Sequence, residues 1–159
     1  MRVASGFAAR SPGQPAGEKT GQSAVAHGRA PVHPSAVRRV FMLDDEPHVR
    51  SALRLVLSQE PNLCVVGEAS QAEDLAGRVG AAGADLVLID WSLAGPGDNG
   101  VVAALRDLSP RPRVIALSGW PEHRNEALAA GVDAFVSKAD PPERLLAVVR
   151  AMIAGAKDA

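Results

Sequence analysis

From about Val37 onward, short apolar runs that fit a strand alternate with segments whose apolar residues recur at helical spacing. This alternation narrows the fold more than any other feature of the chain. Residues 39–43 read as a buried strand ending in Asp44 and Asp45. Pro47 then suits a first helical turn, and Val49, Leu53, Val56 and Leu57 share one helical face. A second strand is expected over 63–68 and a short helix over 71–79, closed by Gly80 and Gly83. The third strand, 84–89, ends at Asp90 and is followed by a Gly/Pro loop and a helix marked by Val101, Val102, Leu105 and Leu108. Residues 113–117 form the fourth strand, ending at Ser118, before a helix over 121–130 that Gly131 stops. The fifth strand, 133–137, ends at Lys138, and Leu145, Leu146, Val149, Met152 and Ile153 give the last helix its apolar face.

Strands that are apolar throughout, joined by helices, imply an α/β fold in which a parallel sheet is covered on both faces. In such a sheet the carboxyl ends of the strands line the crevice where ligands bind. Asp44, Asp45, Asp90, Ser118 and Lys138 all fall at those ends, so residues far apart in sequence converge on one edge. Three carboxylates in one crevice repel each other, and a hard divalent cation relieves that repulsion. An all-oxygen set with one amine nearby suits Mg²⁺, or Mn²⁺, and offers nothing to a soft metal. With the charge neutralised, one carboxylate can attack phosphorus while the ammonium and a hydroxyl hold the oxygens of the transferred group.

Composition sets the outer bounds. Residues 1–36 are rich in Gly, Pro, Ala, Ser and Gln and are expected to be a disordered basic tail, with the folded domain spanning 37–156. Residues 1–39 carry six basic side chains and one acid. The remainder carries eleven basic and seventeen acidic ones, a balance of −6 that argues against direct nucleic-acid binding by that part. No apolar run reaches the roughly 18 residues of a membrane span, so no membrane insertion is expected. Cys64, the single cysteine, permits no internal disulfide; it is expected to be a small buried side chain in a cytoplasmic protein. The four histidines show no metal-ligand spacing.

Residues 38–155 resemble the receiver domain of bacterial two-component signalling. The likeness is carried by Val40-Phe41-Met42-Leu43-Asp44-Asp45-Glu46, Leu86-Val87-Leu88-Ile89-Asp90, Ile115-Ala116-Leu117-Ser118-Gly119 and Phe135-Val136-Ser137-Lys138. The resemblance implies a flavodoxin-like doubly wound sheet of five parallel strands in the order 2-1-3-4-5, with five helices. It implies Asp90 as the phosphoacceptor, Asp45 as a direct Mg²⁺ ligand, Asp44 as a ligand acting largely through water, and the backbone carbonyl of Ser92 as a further ligand. Ser118 corresponds to the switch hydroxyl, Lys138 to the residue that pairs with the phosphoryl group, and Phe135 to the aromatic that rotates inward on activation. A plain core aromatic would look the same at Phe135.

Ser92 and Trp120 flank the expected path of the hydrolytic water: Ser92 would admit it, and Trp120 would shield the phosphoryl group. Implied partners are a sensor histidine kinase or histidine phosphotransfer protein and a downstream protein target, with homodimer formation on phosphorylation as a further expectation. The short stretch after the last helix leaves the expectation of a single-domain regulator with no output domain and no activity beyond its own phosphorylation and dephosphorylation. Two departures stand out: the loop over 91–100 is about two residues longer than usual, with Pro96 displaced, and Lys138 is followed by Ala139 rather than proline.

Three other readings compete. A degenerate receiver would act as a scaffold without phosphorylation, against which the intact acidic set argues. A haloacid-dehalogenase-type phosphohydrolase also uses an aspartate nucleophile, Mg²⁺, Ser/Thr and Lys, but places the nucleophile on its first strand in an Asp-x-Asp motif. A flavodoxin-like nucleotide or flavin binder needs a phosphate-cradling loop after the first strand, where Asp44, Asp45 and Glu46 would repel phosphate.

Overall fold

A computed structural model describes residues 36–95 and 100–155. The expected tail, up to residue 35, and residues 96–99 with the displaced Pro96 lie outside the described residues. The elements run β1 (Arg38–Leu43), α1 (Pro47–Leu57), β2 (Leu63–Ala69), α2 (Leu75–Ala82), β3 (Leu86–Asp90), α3 (Trp91–Ala94), α4 (Gly100–Arg106), β4 (Arg113–Ser118), α5 (His123–Ala130), β5 (Ala134–Ser137) and α6 (Pro142–Ala154). The strands form one parallel sheet in the order β2-β1-β3-β4-β5, as expected.

Successive side chains along a strand point to opposite faces, and here both faces are apolar. Phe41, Leu43, Val87, Ile89, Val114, Ala116 and Phe135 pack on one side against Leu75 and Val79 of α2, Val102 and Leu105 of α4, and Ala127 of α5. Val40, Met42, Leu86, Leu88, Ile115, Leu117 and Val136 pack on the other against Leu57 of α1 and Leu145 and Val149 of α6. Each helix therefore presents only one stripe to the sheet, which explains why the strands read as continuous apolar runs and the helices as periodic ones.

Four details differ from the sequence reading. There are six helices among the described residues, not five. The extra one, α3, follows directly from β3, because the Asp90 carboxylate accepts the Ser92 N–H at 3.0 Å and caps a turn that the Gly/Pro content of the loop obscured. Helix α2 lies later than residues 71–79. Gly80 is accommodated inside it, and the chain turns at Gly83, whose φ of +58° is left-handed. Helix α5 starts two residues after Pro121, and Gly131, at φ +102°, closes it as expected. Cys64 is exposed rather than buried, since β2 is an edge strand and lacks a neighbour on its outer side.

Candidate functional site

The carboxyl edge of the sheet collects the buried polar residues of the core: Asp44, Asp90 and Ser118. Asp44 follows β1 and is 1% exposed. Its Oδ1 accepts the Glu46 N–H at 3.0 Å, its Oδ2 accepts from Lys138 Nζ at 2.7 Å, and its carbonyl accepts from the Arg50 guanidinium at 2.6 Å. Asp90 ends β3 and is 4% exposed. One of its oxygens takes the Ser92 N–H, and the other accepts from Lys138 Nζ at 3.0 Å. Asp45 is exposed, yet one oxygen from each of Asp44, Asp45 and Asp90 lies within 4.8 Å of the others.

Among the described residues Lys138 is the single ammonium bridging this set. Burial alone would lower its pKa, but the hydrogen bonds to Asp44 and Asp90 and the attraction of both carboxylates outweigh that and raise it above the ordinary 10.5. Its backbone N–H donates to the Ser118 carbonyl at 2.7 Å, which ties the ends of β4 and β5 together. The Lys138–Ala139 bond is not among the cis peptides of the described residues.

Ser118 is 3% exposed; its Oγ accepts the Trp120 N–H at 3.1 Å and lies 3.0 Å from His123 Nδ1. Phe135 is 6% exposed and belongs to the apolar cluster that includes Ala116, Ala127 and Val132, so it already lies inward and the inward rotation expected of it finds no outward-facing start here. Ser92 is exposed on α3, and the Trp120 side chain is 63% exposed. The fold therefore brings Asp44, Asp45, Asp90 and Lys138 into direct contact or near contact and places Ser118 beside Lys138 through the backbone. Sequence reasoning missed two residues here. Arg50 holds the Asp44 carbonyl from one turn into α1, and His123 engages Ser118 from the first residue of α5. For His123 the available signal was its position, five residues after a strand-ending hydroxyl at a helix start.

Three carboxylates against one ammonium leave an excess of two negative charges at a mostly buried edge. The donors are hard oxygens, two of them on rigid strand ends, so the set fits a hard divalent cation of high charge density. Among the described residues no helix is long and apolar enough to cross a membrane.

Comparison with known proteins bears on this geometry. The family model described as the response regulator receiver domain matches residues 40–150. The nitrate/nitrite response regulator protein NarL of Escherichia coli K12 is 33% identical over 120 residues, covering 73% of this chain and 55% of that protein. The chain thus spans about half the length of the curated relatives it matches. A two-component response regulator of the LuxR family from Aurantimonas sp. SI85-9A1 superposes with a TM-score of 0.68 at 26% identity, over 76% of this chain and 87% of that one. The signal receiver domain of the putative response regulator NarL from Mycobacterium tuberculosis gives a TM-score of 0.66 at 28% identity, over 77% of this chain and 99% of that one.

Proposed function

This chain belongs to the response regulator receiver domain family, and from that membership we propose that Asp90 accepts a phosphoryl group from a histidine kinase or a histidine phosphotransfer protein. The observation that carries the assignment is the position of Asp90. It is a buried strand-end carboxylate, hydrogen-bonded to Lys138 and clustered with two further acids. A carboxylate oxygen of Asp90 attacks phosphorus and the P–N bond to the donor imidazole breaks. The electron pair stays on the ring nitrogen, which takes up a proton. Hydrolysis reverses the modification: water attacks phosphorus, the acyl-phosphate P–O bond breaks, and Asp90 returns as carboxylate with inorganic phosphate released.

Asp44, Asp45, Asp90 and the Ser92 carbonyl would hold Mg²⁺, which supplies neutralisation of the acids and of the phosphoryl oxygens. The chain's own part is electrostatic and positional. Lys138, already bridging Asp44 and Asp90, can follow the negative charge onto the phosphoryl group. Ser118 donates its hydroxyl once turned toward that group, and the outer surface of α5, β5 and α6 changes with it. Phosphorylation adds roughly −1.5 to −2 charge and acts through its differential fit to the two states.

The signal passes on by protein–protein contact, with pairing of two phosphorylated copies as one form of it. The excess of acids over bases beyond residue 39 supports a protein rather than a nucleic-acid target. Ser92 and Trp120 set the lifetime of the phosphoryl group by admitting or shielding water. No catalytic turnover of another substrate is part of this reading, and a reducing, cytoplasmic setting accompanies it.

Intact mass after incubation with Mg²⁺ and either acetyl phosphate or phosphoramidate tests the assignment. The expected result is one phosphoryl adduct on the wild type, absent from Asp90→Asn and absent without Mg²⁺. No adduct with either donor, nor with a phosphorylated histidine kinase, would overturn it and leave the scaffold reading.

A further inference from the structure

The turn between β4 and α5 holds a contact that the phosphoryl chemistry at Asp90 does not require. The chain leaves the sheet at Ser118, passes through Gly119, Trp120, Pro121 and Glu122, and enters α5 at His123. Two backbone hydrogen bonds, His123 N to Trp120 O and Arg124 N to Pro121 O, both at 3.1 Å, close this turn into a compact unit. Inside it the Ser118 hydroxyl has two partners, the Trp120 N–H at 3.1 Å and His123 Nδ1 at 3.0 Å.

These partners are not equivalent. A backbone N–H only donates, so Trp120 occupies a lone pair of Oγ and leaves the hydroxyl proton free. A neutral imidazole with its proton on Nε2 presents Nδ1 as an acceptor, and the hydroxyl has one proton to give. In that tautomer the proton goes to His123, and none is left for an oxygen at Asp90. The Ser118 backbone cannot adjust to serve both, because its carbonyl is fixed by the Lys138 N–H at 2.7 Å. Only rotation of the side chain remains.

We propose that His123 is a positioning residue that holds the Ser118 hydroxyl within its own turn, so that engagement of a phosphoryl group on Asp90 must first break the Ser118–His123 hydrogen bond. The inference rests on the reading of Asp90 as phosphoacceptor and adds a brake to it. The resting conformation is favoured by a side chain on the helix that moves, and the strength of that one contact sets part of the balance between the two states.

Titration with beryllofluoride in the presence of Mg²⁺, followed by tryptophan fluorescence, reads the balance directly. His123→Ala is expected to bind the phosphoryl analogue about fivefold more tightly than wild type, the equivalent of one net hydrogen bond no longer broken. His123→Asn, whose carboxamide oxygen can stand where Nδ1 stands, is expected to bind within about twofold of wild type. In a Ser118→Ala background the His123→Ala substitution is expected to have no further effect, since the contact is already gone. Thermal melts confirm that each variant is folded.

A gain from His123→Ala that persists in the Ser118→Ala background overturns the inference, and so does unchanged or weaker binding. Failure of wild type itself to bind beryllofluoride overturns the reading of Asp90 and the inference with it, which distinguishes the two failures. The imidazole nitrogen resonances of His123 give an independent check. The wild type should carry its proton on Nε2 with Nδ1 as acceptor, and Ser118→Ala should shift the Nδ1 resonance; a proton on Nδ1 at neutral pH also overturns the inference.

Discussion

The two ends of the sheet carry opposite charge in different ways. At the amino end, the guanidinium groups of Arg38, Arg111 and Arg113 stand beside Asp85 and Asp133. Asp133 accepts the Val114 N–H at 2.8 Å through one oxygen and meets Arg113 at 3.1 Å and Arg111 at 3.3 Å through the other. Asp85 likewise takes the Arg39 N–H at 2.8 Å and stands 4.0 Å from Arg38. Each acid there has at least one guanidinium partner, Asp133 two, and each is bound to a backbone donor. At the carboxyl end the proportion is reversed: Asp44, Asp45 and Asp90 share one ammonium, and two of the three are buried. Charged residues at a strand end are therefore not in themselves the mark of a site. Acids left in excess where burial limits screening are, because such an edge gains free energy when a cation neutralises its charge.

The largest effect expected from this contrast is a response to Mg²⁺. A ligand that binds only the folded state stabilises it by about 2.7 kcal/mol at one hundred times its Kd. Urea unfolding with and without saturating Mg²⁺ should show a gain of that order for wild type and much less for Asp45→Ala, which removes the exposed acid of the cluster. Equal gains in the two proteins would place the cation elsewhere and dissolve the distinction between the ends.

A smaller effect is expected from the amino end. Asp133→Ala removes the acceptor of the Val114 N–H, a residue that is itself fully buried. An unsatisfied buried donor costs roughly 1–3 kcal/mol. The unfolding midpoint should fall accordingly, while the stabilisation by Mg²⁺ and the rate of adduct formation on Asp90 remain those of wild type. A loss of either would mean that the two ends are coupled through the strands.

The carboxyl-end half of this contrast was legible in the sequence, for definite reasons. Asp44, Asp90, Ser118 and Lys138 each terminate an apolar run, and in a parallel sheet a shared position at strand ends becomes a shared position in space. The alternation of faces along β1, β3 and β4 followed from their continuous apolarity. Contacts made by exposed or intermediate residues were not legible. His123 reaches Ser118 only because the intervening turn closes on itself, and no apolar periodicity records that closure. Cys64 was misread because an apolar run shows that a strand is present but not that the strand lies at the edge of its sheet. Helix α3 was hidden because its cap is the same Asp90 carboxylate that the chemistry requires, a local role masked by a more conspicuous one.

The smallest effect expected concerns alkaline pH, and it separates the ends by the kind of cation each uses. The amino end is held by guanidinium groups, which keep their charge at any pH the fold survives. The carboxyl end depends on Lys138, whose pKa in the folded protein is raised above 10.5. A group whose folded pKa exceeds its unfolded value contributes fully below the unfolded value and loses that contribution as pH rises through the folded one. In metal-free buffer, stability should thus decline above about pH 10.5 as the ammonium between Asp44 and Asp90 is discharged and the acids lose their counter-charge. The chain contains no tyrosine, so no phenol titrates across the same window. Lys138→Met should be less stable than wild type at neutral pH and should show a shallower decline above pH 10.5. Parallel declines in the two proteins would assign the alkaline loss to another group and leave Lys138 without the bridging role that its two short contacts give it.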